Sequence, residues 1–195
     1  MHIQLITQAH PLRPKIEGAT QDVYGQAYDA HIANFPELML CLLDPNGDAL
    51  CSVGLRKCHE GFYCEHYLDL PLEDHIFALS AQMVARDKII EVSNLASCSR
   101  KHLLQLLFKV IEHCLNLEME CAVFTATSRL RAALKCLRLP FDEIAIATGE
   151  ALETDHSWGH YYDTFPSVCI VQRGDLMNSS YFMTRTKKEE HVHTV

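Results

Sequence analysis

The chain has 195 residues, nearly half of them apolar, and carries a net charge of −8 at neutral pH. Its length predicts one well-buried α/β domain, and its ordinary composition excludes disordered and fibrous proteins. The acidic balance argues against nucleic acid as a partner, because binding to phosphates requires clustered Lys and Arg.

The strands and helices expected in the first half of the chain are a strand, a helix and a hairpin. Residues 2–7 form a candidate strand, and residues 22–33 show helical spacing of their apolar positions after a linker that contains prolines. Residues 38–43 and 49–56 are typical of strands, and the tight turn DPNGD between them is a strong hairpin signal.

The middle of the chain predicts a further strand over residues 62–68 and a helix over residues 72–85. Residues 88–96 then form a strand. This strand leads directly into a long amphipathic helix over residues 99–117, for which Ser99 is a candidate N-cap.

The remaining segments complete a β-α-β unit and close the sheet. A strand is expected over residues 120–126, a helix over residues 128–137, and two closing strands over residues 144–147 and 168–172. Such an order of elements indicates a mixed sheet with helices on its faces. It predicts an α/β (α+β) fold of the GCN5-related N-acetyltransferase type.

The chain is expected to form a single acyltransferase-like domain over residues 1–176. Residues 177–195 are charged toward their end and are expected to form a flexible C-terminal extension.

Two features of the sequence concern location. The N-terminal segment lacks an apolar run long enough for a signal-peptide core, and no later segment has the length of a membrane-spanning helix. The nine cysteines are an odd number and several lie among apolar neighbours, as expected for buried thiols in a reducing compartment. We therefore expect a cytoplasmic protein without stable membrane insertion.

The junction SCSRKH, between the strand over residues 88–96 and the helix that follows it, is a candidate phosphate site. A helix N-terminus binds phosphate through its free backbone N–H groups and its dipole, and Arg100 and Lys101 could hold a phosphate of an acyl thioester. A solvated Arg–Lys pair at an ordinary β-α junction is the alternative. The candidate cofactor-binding residues are Asn94, Ala96, Ser99, Arg100, Lys101 and Arg129.

Glu91 lies inside an apolar strand, where an unpaired carboxylate is costly. Strict alternation places Ser93 and Leu95 on the same face as Glu91. The functional interpretation is a general base that removes a proton from an ammonium group before it attacks a thioester carbonyl. An ion pair with Arg86 or Arg56 is the alternative interpretation.

The segment SWGHYYDTFP at residues 157–166 gathers aromatic and polar side chains between chain breakers. Its composition suits the lining of a pocket, and Tyr162 could donate a proton to a departing thiolate. Aromatic packing of a loop onto the sheet is the alternative. The candidate substrate-binding residues are Thr125, Trp158, Tyr161 and Asp163.

The predicted helix over residues 128–137 is basic within an acidic chain, with Arg129, Arg131, Lys135 and the adjacent Arg138 and no acidic residue. Such a face could dock coenzyme A or the acidic acyl carrier protein, and a solvated face is the alternative.

Metal binding and thiol chemistry are weaker hypotheses. Two groups of possible metal ligands are Cys58, Cys64 and His66, and His156 and His160. Neither has the paired spacing of a zinc site, so no metal is expected. Cys98, near a helix N-terminus, is a candidate acyl-accepting nucleophile, although the sequence identifies no His–Asp partner for it.

Four segments in this order, FYCEHYLDLPLE, EVSNLAS, FTATSRLR and WGHYYDTFP, resemble the bacterial family of thermostable hemolysins over residues 22–171. A more distant similarity, carried by YDAHI, GLRK and EVSNLAS, is to the acyl-homoserine-lactone synthases. The latter similarity implies an acyl thioester donor and a small amine acceptor, and it places Arg56 and Glu91 at functional positions. It also implies that strand backbone amides polarise the thioester carbonyl.

The leading hypothesis is an N-acyltransferase that moves an acyl group from acyl-CoA or acyl carrier protein to the amine of a small molecule, giving a signal or lipid-like product. The candidate catalytic residues are Glu91, Glu65, Arg56 and Tyr162. A membrane-active cytolysin and a non-catalytic thioester-binding module are the alternative hypotheses, and the sequence shows no export signal or membrane-active segment that would favour the cytolysin.

Overall fold

A computed structural model of the protein describes residues 1–97, 99–152 and 157–179. The strands are β1 (His2–Ile6), β2 (Leu38–Leu43), β3 (Ala49–Arg56), β4 (Ile89–Ser97), β5 (Cys121–Ala126), β6 (Asp142–Ile146) and β7 (Ser167–Gln172). The α-helices are α1 (Arg13–Tyr28), α2 (Leu72–Ser80), α3 (Arg100–Asn116), α4 (Ser128–Cys136) and α5 (Arg173–Asn178).

These strands form one seven-stranded sheet in the order β1-β2-β3-β4-β5-β7-β6. Neighbouring strands are antiparallel, except for the central pair β4 and β5, which is parallel. The predicted mixed sheet flanked by helices is therefore confirmed. None of the described helices combines the length and the apolar composition needed to cross a membrane.

The two faces of the sheet bury separate sets of apolar side chains. On one face, α3 packs Leu106 and Val110 against alternate residues of the first strands, including Leu40. On the other face, α1 packs Ile16 against Met39 and its alternate neighbours. Because successive strand residues point to opposite faces, α1 and α3 lie on opposite sides of the sheet.

The predicted hairpin of β2 and β3 is present in the structure. The Asp44 carboxylate accepts hydrogen bonds from the backbone N–H groups of Asn46 and Asp48, each at 2.8 Å. Gly47 has φ +79°, a conformation that glycine adopts without steric cost. The turn therefore forms for the local reasons that its sequence indicates.

The predicted helix over residues 22–33 is wrong at both ends, because α1 spans Arg13–Tyr28. Pro14 was expected to lie in a linker before the helix, but it occupies the first turn of the helix. A backbone N–H at this position has no partner within the helix, so proline is tolerated there. The helix ends at Asp29, which is left-handed with φ 55°.

Two further predictions in the middle of the chain are wrong. Residues 62–68 form a 3₁₀ turn over Tyr63–Tyr67 instead of a strand. The predicted helix over residues 72–85 ends at Ser80, because Ala81 adopts the left-handed conformation with φ 55°. In the C-terminal part, α5 reaches Asn178, and residues 180–195 of the expected extension lie outside the described residues.

Arg13 fastens the start of α1 to the rest of the domain. Its side chain is buried, with 5% of its surface exposed, and it donates hydrogen bonds to the Glu17 carboxylate. It also donates to the backbone carbonyls of Ile6, Pro36 and Glu37. Arg13 therefore joins β1, α1 and the segment that enters β2.

Replacement of Arg13 by Met should lower the free energy of unfolding by about 2–4 kcal/mol, because three carbonyls, two of them buried, lose their donor. Chemical denaturation would measure the change. Lys15→Met, which removes an exposed pair with Asp48, is the matched control and should change stability by less than about 0.5 kcal/mol. Equal stabilities for the two variants would contradict this role of Arg13.

Candidate active site

The central strands β4 and β5 separate partway along their length. Their parallel pairing covers Ile89 with Cys121, Ile90 with Ala122 and Glu91 with Val123. Beyond Glu91, β4 continues to Ser97 and β5 to Ala126 without pairing to each other. The sheet therefore opens between its two middle strands.

A β-bulge in β4 lies beside this opening. The pairing of β3 with β4 shifts register between Ser52, opposite Ala96, and Gly54, opposite Ser93. Asn94, within the shift, is left-handed with φ 50°. The extra residue bends the strand away from its partner, as bulges do.

The bulge also changes which side chains share a face. Strict alternation predicts that Leu95 lies on the face of Glu91. Instead, Leu95 packs with Val92 in the core beneath α3, and Ala96 packs with Tyr24 on the opposite side of the sheet. The predicted alternation is therefore wrong beyond Asn94, because one inserted residue moves every later side chain to the other face.

A channel with a volume of about 640 Å³ runs through the opening. On the α3 side, its wall includes Leu103 and Leu107 of α3 and Leu130 of α4. On the other side, its wall includes Tyr24 and Tyr28 of α1. Because α1 and α3 lie on opposite faces, the channel passes between β4 and β5 and connects the two faces of the sheet.

The mouth of the channel lies between the N-termini of α3 and α4. The side chains of Ser99 and Thr127 cap these helices by accepting the N–H groups of their third residues. Ser99, Arg100, Thr127 and Arg129 all line the channel. Neither helix has an acidic residue in its first turn. Two helix dipoles and two arginines therefore make the mouth electropositive.

Cationic residues near the mouth divide into paired and unpaired ones. Arg131 and Lys135 both contact the carboxylate of Glu143, at 2.9 Å each. Arg100 and Arg129 form no ion pair with any residue in the described parts of the chain. Their charges are therefore available to an anionic ligand.

An aromatic wall borders the channel on the α1 side, and three of its residues, Tyr24, Tyr28 and Tyr161, line the channel. The wall consists of Tyr24, Tyr28, Tyr63, Tyr67, Trp158, Tyr161 and Tyr162. Neighbouring rings meet at centroid distances of 5.3 to 6.5 Å. The hydroxyls of Tyr67 and Tyr162 are hydrogen-bonded at 2.8 Å, and the Trp158 indole donates to the Tyr63 hydroxyl at 3.1 Å.

Burial raises the pKa of Tyr24, Tyr67 and Tyr161 above the ordinary value for tyrosine. These three phenols therefore stay protonated and uncharged at neutral pH.

Glu91 is the last residue of β4 that pairs with β5, and it is buried, with 2% of its surface exposed. Its carboxylate accepts hydrogen bonds from the backbone N–H groups of Tyr63 at 2.7 Å and Cys64 at 2.9 Å. Burial raises the pKa of Glu91, while the two N–H groups and Arg56 act in the opposite direction. Through these hydrogen bonds, the Glu91 carboxylate connects β4, at the point where it separates from β5, to the segment that contains Tyr63.

Arg56 lies opposite Glu91 on β3, with its Nε atom 3.6 Å from a carboxylate oxygen of Glu91. Glu65, the other candidate base, instead binds Arg86 through two hydrogen bonds of 2.7 and 2.5 Å. This pairing holds the pKa of Glu65 below its usual value. Glu73 also binds Arg86, so the three side chains fasten the segment before β4.

The structure brings some of the candidate residues together and leaves others apart. The candidates that line the channel are Asn94, Ser99, Arg100, Thr125, Arg129 and Tyr161. The other candidates do not line the channel. Glu91 and Arg56 pair with each other, and Trp158 and Tyr162 belong to the aromatic wall. The remaining four are Ala96, Lys101, Glu65 and Asp163. Asp163 is exposed and pairs with His160. Cys98 and His156 lie outside the described residues.

The sequence analysis did not identify Tyr24 and Tyr28 as candidates. Their spacing of four residues on α1 places them on one helix face, which is the signal that could have found them. It also missed a group of three possible metal ligands, Glu37, His59 and Glu60, whose ligand atoms lie within 4.8 Å of one another. The Glu60 carboxylate of this group accepts two backbone N–H groups.

Gly159 holds the segment with Trp158 and Tyr161 against the end of α1. The Tyr28 carbonyl accepts a hydrogen bond from the His160 N–H at 2.7 Å. Gly159 itself has φ +48°, and a Cβ atom there would lie 2.2 Å from the Tyr28 carbonyl oxygen. Only glycine permits this close approach of two backbones.

Comparison with known proteins gives a family and a fold. Residues 6–177 match the family described as thermostable hemolysin. Among curated proteins, the comparison finds no match.

Three solved structures illustrate the likeness of fold. FeeM, an N-acyl amino acid synthase from uncultured soil microbes, has a TM-score of 0.61 at 10% identity, over 91% of this chain and 98% of that chain. MesI, a CoA-dependent acyl-homoserine lactone synthase, has a TM-score of 0.52 at 14% identity, over 88% of each chain. Tetrahymena GCN5 has a TM-score of 0.50 at 10% identity, over 88% of this chain and 96% of that chain. The fold is therefore that of the GCN5-related N-acetyltransferases.

Replacement of Gly159 by Ala should displace the aromatic segment, because the added Cβ meets the Tyr28 carbonyl. The sequence contains a single tryptophan, Trp158, so its fluorescence reports directly on this segment. We expect a shifted Trp158 emission and a loss of about 1–3 kcal/mol in the free energy of unfolding.

Gly18→Ala is the matched control, because a Cβ at Gly18 meets open space on α1. It should leave the emission unchanged and stabilise the protein by up to about 1 kcal/mol. An unchanged emission in the Gly159 variant would show that the two backbones do not pack as described.

Proposed function

Because the chain belongs to the thermostable hemolysin family and has the fold of the GCN5-related N-acetyltransferases, we propose that it is an N-acyltransferase. It takes an acyl group from a thioester of coenzyme A or acyl carrier protein and passes it to the amine of a small molecule. The observation that carries the proposal is the channel that joins an electropositive mouth to the opening between β4 and β5.

The mouth is suited to the phosphate of the donor. Coenzyme A and acyl carrier protein both present their thioester on a phosphopantetheine arm, and both therefore place a phosphate before it. Free N–H groups at the starts of α3 and α4, with Arg100 and Arg129, offer what a phosphate binds. Lys101, next to Arg100 in the first turn of α3, adds positive charge for a macromolecular donor.

The interior of the channel is suited to an acyl chain. Leu103, Leu107, Ile111 and Leu115 form a stripe on α3 with four-residue spacing, and all line the channel. This stripe is about 18 Å long at 1.5 Å per residue. An acetyl group would fill little of it, whereas each additional buried methylene contributes about 0.8 kcal/mol. A medium or long acyl chain is therefore the better occupant.

The chemical step requires an amine, a polarised carbonyl and a route for protons. The amine nitrogen attacks the thioester carbon, a C–N bond forms, the C–S bond breaks, and the thiolate takes up a proton. The proposed donors to the carbonyl oxygen are backbone N–H groups of β4 near Asn94, where β5 no longer pairs with this strand.

The proposed proton transfers use one carboxylate, that of Glu91, and one phenol, that of Tyr162. We assign the acceptance of the ammonium proton to Glu91, because burial raises its pKa, and not to Glu65, whose pKa Arg86 lowers. Glu91 does not line the channel, so the proposal includes a water molecule that carries the proton to its carboxylate. Tyr162, hydrogen-bonded to Tyr67, is the assigned proton donor to the thiolate.

Purified protein should release free thiol from acyl thioesters only when an amine is present. Acetyl-CoA, long-chain acyl-CoA and long-chain acyl carrier protein, each with pooled amines, distinguish the donor classes. Arg100→Gln and Arg129→Gln should raise the Kd of the preferred donor about tenfold each, since each removes a charged contact to phosphate.

Lys109→Gln is the matched control for charge, because Lys109 lies on the exposed side of α3 and pairs with Glu112. It should leave donor binding unchanged. If no thioester binds, while the protein alone lyses lipid vesicles, the acyltransferase proposal fails and a cytolysin replaces it.

Replacement of Leu107 by Trp should shorten the longest acyl chain that the enzyme accepts, because the indole fills the channel beneath the opening. Rates with a series of acyl chain lengths would measure the limit. Gln105→Trp, an exposed position on the same helix, is the control and should leave the series unchanged. If the Leu107→Trp variant accepts the same range of acyl chain lengths as the wild type, the acyl chain does not occupy the channel beside Leu107.

A further inference from the structure

We propose that the amine accepted by this enzyme also carries a carboxylate, as an amino acid does, and that Arg56 binds this carboxylate. The inference rests on the proposed acyl transfer and names the class of its acceptor. Its basis is the hydrogen bonding of Arg56, which differs from that of the other arginines with little exposed surface.

Two other arginines with little exposed surface each bind several acceptors. Arg13 binds one carboxylate and three carbonyls. Arg131 donates to the carbonyls of Ala126 and Phe165 and pairs with Glu143. Each of these guanidinium groups therefore has at least three acceptors within the domain.

Arg56 has no such set of partners. Its side chain is 15% exposed, and its Nε atom is buried without a hydrogen bond. Within the described residues, no N–H of Arg56 donates a hydrogen bond to any acceptor. Glu91 is 3.6 Å away, but its oxygens accept the N–H groups of Tyr63 and Cys64. A guanidinium in this state retains the planar pair of donors that binds a carboxylate.

The position of Arg56 places this donor pair beside the channel. Arg56 is opposite Glu91, and the next pair on the same face of these strands is Gly54 with Ser93. Ser93 lines the channel, and two residues of a strand span about 7 Å. An acceptor bound to Arg56 would therefore reach the opening with a group only a few bonds from its carboxylate.

The aromatic wall borders the same place. Tyr63 donates its backbone N–H to Glu91, and its hydroxyl accepts the indole N–H of Trp158. An ammonium group near this wall meets the faces of aromatic rings, which attract cations. The carboxylate on Arg56 and the ammonium toward Glu91 and the rings together orient an α-amino acid with its nitrogen at the opening.

The reaction with such an acceptor balances without a further reactant. The ammonium proton passes through water to Glu91, and the free amine nitrogen forms a bond to the thioester carbon. The C–S bond breaks, the thiolate is protonated, and an N-acyl amino acid with a free carboxylate is released. Arg56 keeps its proton throughout and acts as a binding group.

The test compares acceptors that differ only in the carboxylate. Amino acids are assayed beside their amides and the corresponding amines without a carboxyl group, with the preferred donor. For the wild-type protein we expect a KM for the amino acid at least about tenfold below that for its amide. Arg56→Gln should abolish this preference by raising the KM for the acid, while Lys88→Gln, the matched loss of an exposed charge, should preserve it.

A binding measurement separates this inference from the proposed function. Titration of amino acid and amide into protein that holds an unreactive thioether analogue of the donor requires no turnover, and the Trp158 emission of the variants verifies that they are folded. Absence of turnover with every acceptor would overturn the acyltransferase. Equal binding of acid and amide to the wild type, or an unchanged preference in folded Arg56→Gln, would overturn the carboxylate site.

Discussion

The separation of β4 from β5 after Glu91 is the constraint on which the rest of the site depends. Two parallel strands at the centre of a sheet normally form hydrogen bonds to each other along their length. Buried backbone N–H and C=O groups that are left unpaired are costly when no other partner replaces the lost strand. Here the bulge at Asn94 bends β4 away, and a channel occupies the space. Side chains offset part of this cost, since Tyr161 and Arg131 donate hydrogen bonds to the carbonyls of Thr125 and Ala126 at the end of β5.

The opening divides the domain into two sides with different chemistry. On the side of α3 and α4 are apolar side chains and two helix N-termini, which the proposed acyl chain and phosphate of the donor would contact. On the side of α1, tyrosines, Trp158 and the pair of Arg56 with Glu91 form a polar and aromatic surface. Glu91 lies where the two sides meet, and its buried carboxylate also holds the 3₁₀ turn over Tyr63–Tyr67 in place. Removing that carboxylate would therefore change both the chemistry and the shape of the acceptor side.

The elements that depend on interactions between residues close together in the chain could be predicted from the sequence. The turn DPNGD, the N-cap Ser99 and the helical stripe of α3 each follow from neighbouring residues, so the hairpin and the β4-α3-β5 unit were predicted correctly. The 3₁₀ turn over Tyr63–Tyr67 was mistaken for a strand, because its hydrogen bonds go to Glu91, 28 and 27 residues further along the chain. The bulge at Asn94 was missed for a similar reason, since a register shift is a property of two strands.

In the candidate site, too, the residues that could be predicted are those whose role depends on neighbouring residues in the chain. The charged mouth was predicted because a strand followed by a capped, basic helix is visible in one segment. The unpartnered donors of Arg56 depend on where every possible acceptor lies, and only the folded domain shows this. Tyr24 and Tyr28 join the site through the packing of Gly159 on the Tyr28 carbonyl, a contact between segments 131 residues apart.

The most direct test of the account is a crystal structure with a long-chain acyl-CoA analogue in which a ketone replaces the thioester. We expect the phosphates at the starts of α3 and α4, the ketone oxygen against the backbone of β4 near Asn94, and the acyl chain between α3 and α4. An analogue bound outside the opening, or a site between β4 and β5 that stays empty at saturating concentration, would contradict the central claim.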